Sequence, residues 1–508
     1  MKLITSRPDF YNDICEEIRL FLPRAAIELT DAYSGEVLDK SGIFGDERFL
    51  DDGGGTLTAL LSEDGVSFIA RAVYEHEGET HEYLHKTPYR GGSELIEKRY
   101  AKRCIKAAVF RVMRMAFPER NIPWGSLTGI RPTRLLRELI DTEGYDEALR
   151  LMREEFDVAP DKLSLADTIV RVQRPILDSA KRSDIGVYVG IPFCRTRCLY
   201  CSFASQLRTK KTDMAAYLAA LMRDIELGSA MTRELGLAPR SLYVGGGTPT
   251  ILTADELDML LDKVCSAYDT RGREFTVEAG RPDTITVEKL RVLKAHGVDR
   301  VSVNPQTMCD RTLRLVGRDH TSEDLKRCFM TVREVGFDSV NCDVIAGLPN
   351  ETEEDMAHTL EEIARLDPDC LTVHTLAIKR SSRLHEHMDE YVMPGVDCVD
   401  RMVALGREAA ESMGMAPYYM YRQKYMAGNL ENVGYSKPQS ICVYNIDMME
   451  DALSTIAHGA GSMTKRVFGE AGRIDRVANP KDIDTYIAKV DITDLERRRL
   501  FEAGERTE

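Results

Sequence analysis

The stretch VGIPFCRTRCLYCSF, Val189 to Phe203, places three cysteines within eight residues. Cys194, Cys198 and Cys201 are spaced C-x3-C-x2-C, with two arginines between them and aromatic residues close by. A knot of thiols is either a ligand set or a coincidence. A structural zinc site takes four protein ligands, usually as two spaced pairs, and no second pair of cysteines exists in the chain. Three thiolates close together suit a [4Fe–4S] cluster in which one iron lacks a protein ligand. That iron would stay open to a small molecule offering an amine and a carboxylate.

Outward from the knot, residues from about 185 to 380 alternate strand and helix. Short β-branched runs, all but the last ending in glycine or proline, follow one another: IGVYVGIP, RSLYVGGG, EFTVEAG, DRVSVNP, DSVNCDVIAGLP and CLTVHTLAI. Amphipathic helical patterns separate them, such as Met214 to Leu235 and Asp255 to Tyr268, the second opened by the capping-box sequence TADE at 253–256. Apolar runs divided by helices predict buried parallel strands with right-handed crossovers. Six such units fit a partial (β/α)6 barrel, with a doubly wound sheet as the competing topology. Either places chemistry at the carboxyl ends of the strands.

Residues 1–165 read as a separate α+β domain. GTLTALLSEDGVSFIARAVYEHEG, 55–78, alternates around a Glu-Asp-Gly turn and predicts a hairpin, and Glu94 to Phe117 predicts a long helix. The barrel is expected over 166–384 and a mostly helical domain over 385–508. At 508 residues, 43% hydrophobic and 30% charged, the chain is long enough for several cores. A net charge of −15 argues against a nucleic-acid surface. The start, MKLITSRPDFYND, has no apolar signal core and no stretch approaches a membrane span, so the expected location is cytoplasmic. The other nine cysteines stand alone and read as small buried hydrophobes of a reducing compartment.

The strand ends carry further candidates. YVGGGTPT, 243–250, closes the second strand, and its glycines allow close backbone approach and present N–H groups to a ligand. Glu278 closes the third strand, while Gln306, Arg318 and Asp343 follow at later strand ends. With the aromatic Tyr200 before the third cysteine, the knot resembles that of the radical S-adenosylmethionine (SAM) superfamily. The resemblance implies that Cys194, Cys198 and Cys201 hold the cluster and serve catalysis. SAM would chelate the open iron, and one electron would cleave it to a 5′-deoxyadenosyl radical. It implies SAM contacts at Tyr188, Tyr200, Gly245, Gly246, Gly247, Thr248, Glu278, Gln306, Arg318 and Asp343.

Within the superfamily the chain resembles the oxygen-independent coproporphyrinogen III oxidase (HemN-like) family over about 185–470. The segments YYMYRQKYMAGNLENVGY, 418–435, and IPWGSLTGIRPTRLL, 122–136, are similar to its HemZ branch. The implied reaction is oxidative decarboxylation of two propionates of coproporphyrinogen III to vinyl groups, giving protoporphyrinogen IX. It needs a low-potential electron donor of flavodoxin or ferredoxin type. Arg422 and Lys424 are candidate partners for substrate carboxylates, since guanidinium forks match them; a basic surface loop is the plainer reading. Gly190 stands where well-characterised relatives have histidine, and Phe203 where they have a fourth cysteine. The C-x-F pattern also occurs in a branch of haem chaperones. A haem chaperone, or a radical enzyme acting on haem, are therefore the alternative readings.

Overall fold

The computed structural model describes residues 1–23, 25–38, 54–89, 91, 94–128, 131–203, 205–423, 426–469 and 473–502. Their contacts divide the chain into one unit of Met1–Ala166 with Gly428–Leu430 and a second of Asp167–Ala427 with Glu431–Glu508.

In the first unit, β1 (Lys2–Thr5), β2 (Glu28–Asp31), β3 (Val37–Leu38), β4 (Thr56–Glu63), β5 (Ser67–His76) and β6 (Glu79–Pro88) form a sheet in the order β3-β2-β1-β4-β5-β6. β4 and β5 are the expected hairpin, in register from Thr56 opposite Glu75 to Glu63 opposite Phe68. Asp64 closes the turn by accepting the N–H groups of Val66 and Ser67 at 3.0 and 2.7 Å, as a short acidic side chain in a turn does. Phe68, Ala70, Ala72 and Tyr74 of β5 are buried under α1 (Tyr11–Phe21) and α2 (Glu94–Ala116), which contribute Ile14, Ile18, Ile105, Val109 and Met113 to one core. Then come α3 (Pro132–Glu143), α4 (Tyr145–Glu154) and α5 (Pro160–Asp178). Gly144, at φ 86°, breaks the chain between α3 and α4.

The second unit is built on the six apolar runs. They become β7 (Asp184–Ile191), β10 (Ala238–Gly246), β11 (Glu274–Gly280), β12 (Arg300–Val303), β13 (Ser339–Ala346) and β14 (Cys370–Thr375). The short β8 (Phe193–Cys194) and β9 (Gln206–Leu207) pair beside β7's end. Strand order is β7-β10-β11-β12-β13-β14, every pair parallel. A doubly wound sheet would reverse its order part-way; this one never does, so the partial barrel is the fold. The crossovers are α6 (Met214–Glu234), α7 (Ala254–Ala267), α8 (Val287–Ala295), the pair α9 (Asp310–Leu315) and α10 (Ser322–Val335), and α11 (Glu353–Leu366). The capping box at α7 is present: Glu256 N–H donates to Thr253 Oγ1 at 3.2 Å, and Thr253 N–H to Glu256 Oε2 at 2.7 Å. Val187, Val244, Val277, Val301 and Val340 are fully or almost fully buried, each contributing about 1.5–3 kcal/mol of burial.

The residues after about 385 supply helices, α12 (Arg383–Glu386, overlapping the boundary), α13 (Val396–Ser412), α14 (Val443–Met449) and α15 (Ile483–Glu502). They also supply five strands that the sequence reading did not foresee: β15 (Ala416–Tyr421), β16 (Asn432–Ser436), β17 (Ser454–His458), β18 (Met463–Val467) and β19 (Ile474–Ala478). β16 pairs antiparallel with β14, and β17 pairs parallel with β7, so the same sheet is extended at both ends. A buried polar hub ties β17 to the barrel. Asp224 of α6 lies 3.0 Å from His458 Nδ1, accepts from Arg497 Nη1 and Tyr486 Oη at 2.9 Å, and accepts from Gly459 N–H at 3.1 Å. Burial opposes its charge, yet His458 and Arg497 hold the carboxyl far below the usual range. Among the described residues, no helix is long and apolar enough to cross a membrane.

Candidate functional site

The three cysteines lie in a loop fastened at both ends. Gln206 N–H donates to Pro192 O at 2.8 Å and Arg208 N–H to Cys194 O at 3.0 Å, where β9 runs beside β8. Cys201 N–H turns back onto Cys198 O at 3.1 Å, and Leu199 is held by Val316 on one side and Leu384 on the other. All three thiols are free; Cys198 is buried, and Cys194 and Cys201 are partly so. Burial raises the Cys201 thiol, and the neighbouring Cys198 and Cys194 sulfurs raise it further. Thr248 Oγ1 donates to Cys194 Sγ at 3.5 Å, and Arg281 Nη1 to Cys198 Sγ at 4.0 Å. Among the described residues, no three His, Cys, Asp or Glu side chains are gathered closely enough for a single metal ion. A multi-iron cluster makes a different demand, because each thiolate attaches to a different iron.

The glycines of β10 are required by contact. A Cβ on Gly247 would stand 2.6 Å from Phe193 O and 3.0 Å from Cys194 Sγ, and one on Gly245 would stand 2.8 Å from the Glu278 carboxyl carbon. Gly246 sits at φ 112°, which disfavours any side chain. Their N–H groups are not presented to a ligand as expected. Gly246 N–H donates to Glu278 Oε2 at 3.1 Å, Gly247 N–H to Ile191 O at 2.8 Å and Thr248 N–H to Phe193 O at 2.9 Å. The glycine run supplies room, and the donors are spent on Glu278, on the end of β7 and on the start of the cysteine loop.

Behind the glycines stands a carboxylate among tyrosines. Tyr243 donates its hydroxyl to Glu278 Oε1 at 2.7 Å. Burial pushes Glu278 up to about 7, the negative charge of Asp343 adds to that, and the Tyr243 and Gly246 donors oppose it. Tyr188 stacks on Tyr243 with ring centroids 6.2 Å apart, and Tyr243 on Tyr444 at 4.4 Å. Tyr188 was expected here; Tyr243 and Tyr444 were not.

Gln306 adopts φ 68° and is clamped to β13, its N–H donating to Asp343 O at 2.9 Å and its carbonyl accepting from Ile345 at 3.0 Å. Its Oε1 and the Oδ1 of Asn304 are buried with no hydrogen-bond partner among the described residues. Burial raises Asp343, but hydrogen bonds from His374, Asn341 and Thr372 more than offset it and leave the carboxyl below its usual range. His374 Nδ1 lies 3.3 Å from the Tyr421 hydroxyl. Arg318, buried, hydrogen-bonds Tyr200 and donates from Nη2 to Asn304 O at 2.6 Å, while its Nε has no partner among the described residues. Burial and the Arg318 charge push His320 down to about 4, so it is neutral. The chain thus brings the cysteines, Thr248, Tyr200 and Arg318 to one place. It brings Tyr188, Gly245, Gly246, Gly247, Glu278 and Asp343 to an adjoining one.

Arg422 follows Tyr421 and is buried, in contrast to a basic surface loop. Lys424 lies outside the described residues. Arg281, His374 and His320 escaped the sequence reading. The signal for Arg281 was a cation placed immediately after the strand-ending EAG.

The sequence pattern of the Radical SAM superfamily matches residues 188–363, the span that holds this loop and these strand ends. The chain is 37% identical over 391 residues to the oxygen-independent coproporphyrinogen-III oxidase-like protein HemZ of Bacillus subtilis, covering 76% of this chain and 78% of that one. The chain belongs to that family. Its HemZ-like sequence is also 32% identical over 205 residues to the haem chaperone HemW of Bacillus subtilis, covering 40% of this chain and 53% of that one. The coproporphyrinogen III oxidase HemN of Escherichia coli, a radical SAM enzyme, superposes with a TM-score of 0.51 at 22% identity, over 66% of this chain and 77% of that one. That likeness shows the fold.

A radical SAM domain works with a [4Fe–4S] cluster and SAM, and the donor set of this HemZ-family chain fits both. Two of the three free thiols, Cys194 and Cys198, receive hydrogen bonds from a hydroxyl and a guanidinium respectively, the kind of contact that tunes a cluster's potential. The unpartnered Gln306, Asn304 and Arg318 atoms are buried polar groups that a polar ligand would satisfy.

Proposed function

We propose that this radical SAM protein carries out the oxygen-independent oxidative decarboxylation of coproporphyrinogen III, turning two propionates into vinyl groups to give protoporphyrinogen IX. One observation carries the reading. The free three-cysteine loop, the glycine strand and the half-buried carboxylates Glu278 and Asp343 meet at the ends of the six parallel strands, in a chain of the coproporphyrinogen-oxidase-like family.

When bound, the cluster and SAM supply one-electron cleavage of the sulfonium and, with it, hydrogen-atom abstraction. Everything else falls to the chain. Cys194, Cys198 and Cys201 would hold the cluster, with Thr248 and Arg281 donating toward two of the sulfurs. Glu278 would take a hydroxyl or ammonium of SAM, as a carboxylate short of cationic partners favours. Gln306 Oε1 and Arg318 Nε offer an acceptor and a donor that have no hydrogen-bond partner among the described residues. The Tyr188–Tyr243–Tyr444 stack closes one wall against water. Each propionate then loses one β-hydrogen atom, one electron to an acceptor, and CO2. Arg422 and Lys424 are the proposed partners of the substrate's carboxylates.

The test is anaerobic. The reconstituted enzyme is given SAM, a low-potential reductant and coproporphyrinogen III, and 5′-deoxyadenosine and vinyl products are followed by mass. Deoxyadenosine without any decarboxylated product would overturn the oxidase reading. A second reading, haem chaperone, is favoured by Phe203 in place of a fourth cysteine and by the likeness to HemW. It predicts stable haem binding without turnover in the same preparation.

A further inference from the structure

We infer that His374, its ring fixed by Tyr421, is a positioning residue for Asp343, holding that carboxylate in the orientation that accepts a hydroxyl or ammonium group of SAM. The inference rests on Asp343 as a SAM contact and not on the choice of porphyrinogen as substrate.

The three side chains border open space at the strand ends. On β13 every residue is buried except Asn341 and Asp343, and on β14 every residue except His374. Side-chain exposure is 20% for Asp343 and 26% for His374, while the neighbouring Val344 and Val373 are fully or almost fully buried. Tyr421, the last residue of β15, is also partly open. The charge of Asp343 is felt at Glu278, so a ligand of SAM's length can touch both carboxylates.

Each oxygen of Asp343 has its own holder, and each holder is itself held. Asn341 Nδ2 donates to Oδ1 at 2.8 Å, and Asn341 Oδ1 accepts from Thr372 Oγ1 at 3.3 Å. His374 Nε2 lies 3.8 Å from Oδ2, and His374 Nδ1 lies 3.3 Å from the Tyr421 hydroxyl. Burial alone would raise Asp343, yet it stays below its usual range, and His374 is the largest of the groups that lower it. The sheet sets this up. β14 runs beside β13 with His374 opposite Ile345, and β16 pairs with both β14 and β15. A side chain at Gly434 of β16 would collide with the Tyr419 ring, so that ring lies over the bare backbone and stacks on Tyr421 with centroids 6.5 Å apart.

The Tyr421 contact decides which ring nitrogen carries the proton. Burial and the charge of Asp343 both raise the Tyr421 phenol, so it keeps its hydrogen and donates. Given to Nδ1, that bond leaves a neutral imidazole with its own hydrogen on Nε2, the nitrogen that faces the ionised carboxylate. The opposite tautomer would set the Nε2 lone pair against Asp343. A hydrogen bond at one ring nitrogen thus fixes what the other presents.

The experiment measures SAM binding to the cluster-loaded protein by anaerobic equilibrium dialysis without reductant, at pH 8, where an ordinary imidazole is neutral. His374→Leu removes the donor and should bind SAM at least about tenfold more weakly, with iron content unchanged. His374→Gln keeps an amide N–H for Asp343 and has no tautomer to select, so it should bind like wild type. Tyr421→Phe should weaken binding in the native background and have no effect in the His374→Gln background. Wild-type affinity in His374→Leu, or the same Tyr421→Phe loss in both backgrounds, would overturn the inference; the second is what a purely structural tyrosine gives. Asp343→Ala separates the two readings. Weakened binding there with none in His374→Leu overturns the positioning role alone, and undiminished binding there removes Asp343 from the SAM site and the inference with it. No porphyrinogen is present, so the oxidase reading is not at stake.

Discussion

The hydroxyl of Tyr243 and the carboxylate of Glu278 are 2.7 Å apart at the ends of neighbouring parallel strands, and that hydrogen bond does not fully compensate the burial of the acid. Burial dominates, so Glu278 titrates at about 7 instead of its ordinary 4.5. A group whose folded pKa is raised binds its proton more tightly in the native state. Stability therefore falls as pH rises from 4.5 to about 7, by at most about 3 kcal/mol. Glu278→Gln should flatten that window in urea titrations of the ligand-free protein at pH 5 and pH 7.5. An unchanged pH slope in the variant would show that Glu278 is not the group responsible.

Cys198→Ser should abolish iron binding and SAM cleavage while circular dichroism reports an intact fold, since Cys198 makes no disulfide. Iron content and visible absorption settle the matter. Full cluster retention in this variant would remove Cys198 from the ligand set. Thr248→Val is gentler: it deletes only the donor to Cys194 Sγ, and should cost about 10-fold or more in cleavage rate with iron still bound.

The glycines of the sheet can be set against one another. Gly247→Ala drives a Cβ to 2.6 Å from Phe193 O, whereas Gly186→Ala meets nothing nearer than Thr455 Oγ1 at 3.5 Å. The first should lose about 1–3 kcal/mol by overpacking and disturb the cysteine loop, lowering iron content. The second should unfold within about 0.5 kcal/mol of wild type. Similar denaturation midpoints for the two variants would contradict this packing.

Asp224→Asn removes the negative charge facing Arg497 and His458 in a site where all three side chains are almost fully buried. Breaking a buried pair from one side costs about 3–5 kcal/mol. Arg497 keeps Asp494, at 2.8 Å, so the lower figure is expected. Chemical denaturation followed by far-ultraviolet signal measures it. A loss under about 1 kcal/mol would mean that the hub is filled by water or rearranged.

The barrel strands were legible because parallel strands buried on both faces read as short unbroken apolar runs, and all but β14 end where glycine or proline turns the chain. β15 and β17 escaped notice for local reasons. PYYMY reads as an aromatic cluster without alternation, and STIAH is too short to show a period. The cysteine loop was legible because its ligands are close in sequence. Tyr444 and His374 were not, since nothing near either residue marks it, and only the fold sets Tyr444 against Tyr243 and His374 against Asp343. The glycine run was seen for what it is, but its N–H groups were assigned outward when strand pairing turns them inward.

β7 ends at the cysteine loop, and one of its two sheet neighbours is β17, made from Ser454–His458 and held by Arg497 near the chain's end. Synthesis proceeds from the N-terminus, so Cys194, Cys198 and Cys201 leave the ribosome long before that neighbour exists. Until it arrives, β7 has an open edge, and the loop it supports lacks half of its foundation. The loop therefore gains its full support only once Ser454–His458 has been made. A chain cut short anywhere between residues 202 and 453 keeps every cysteine of the triad and loses the strand beside β7.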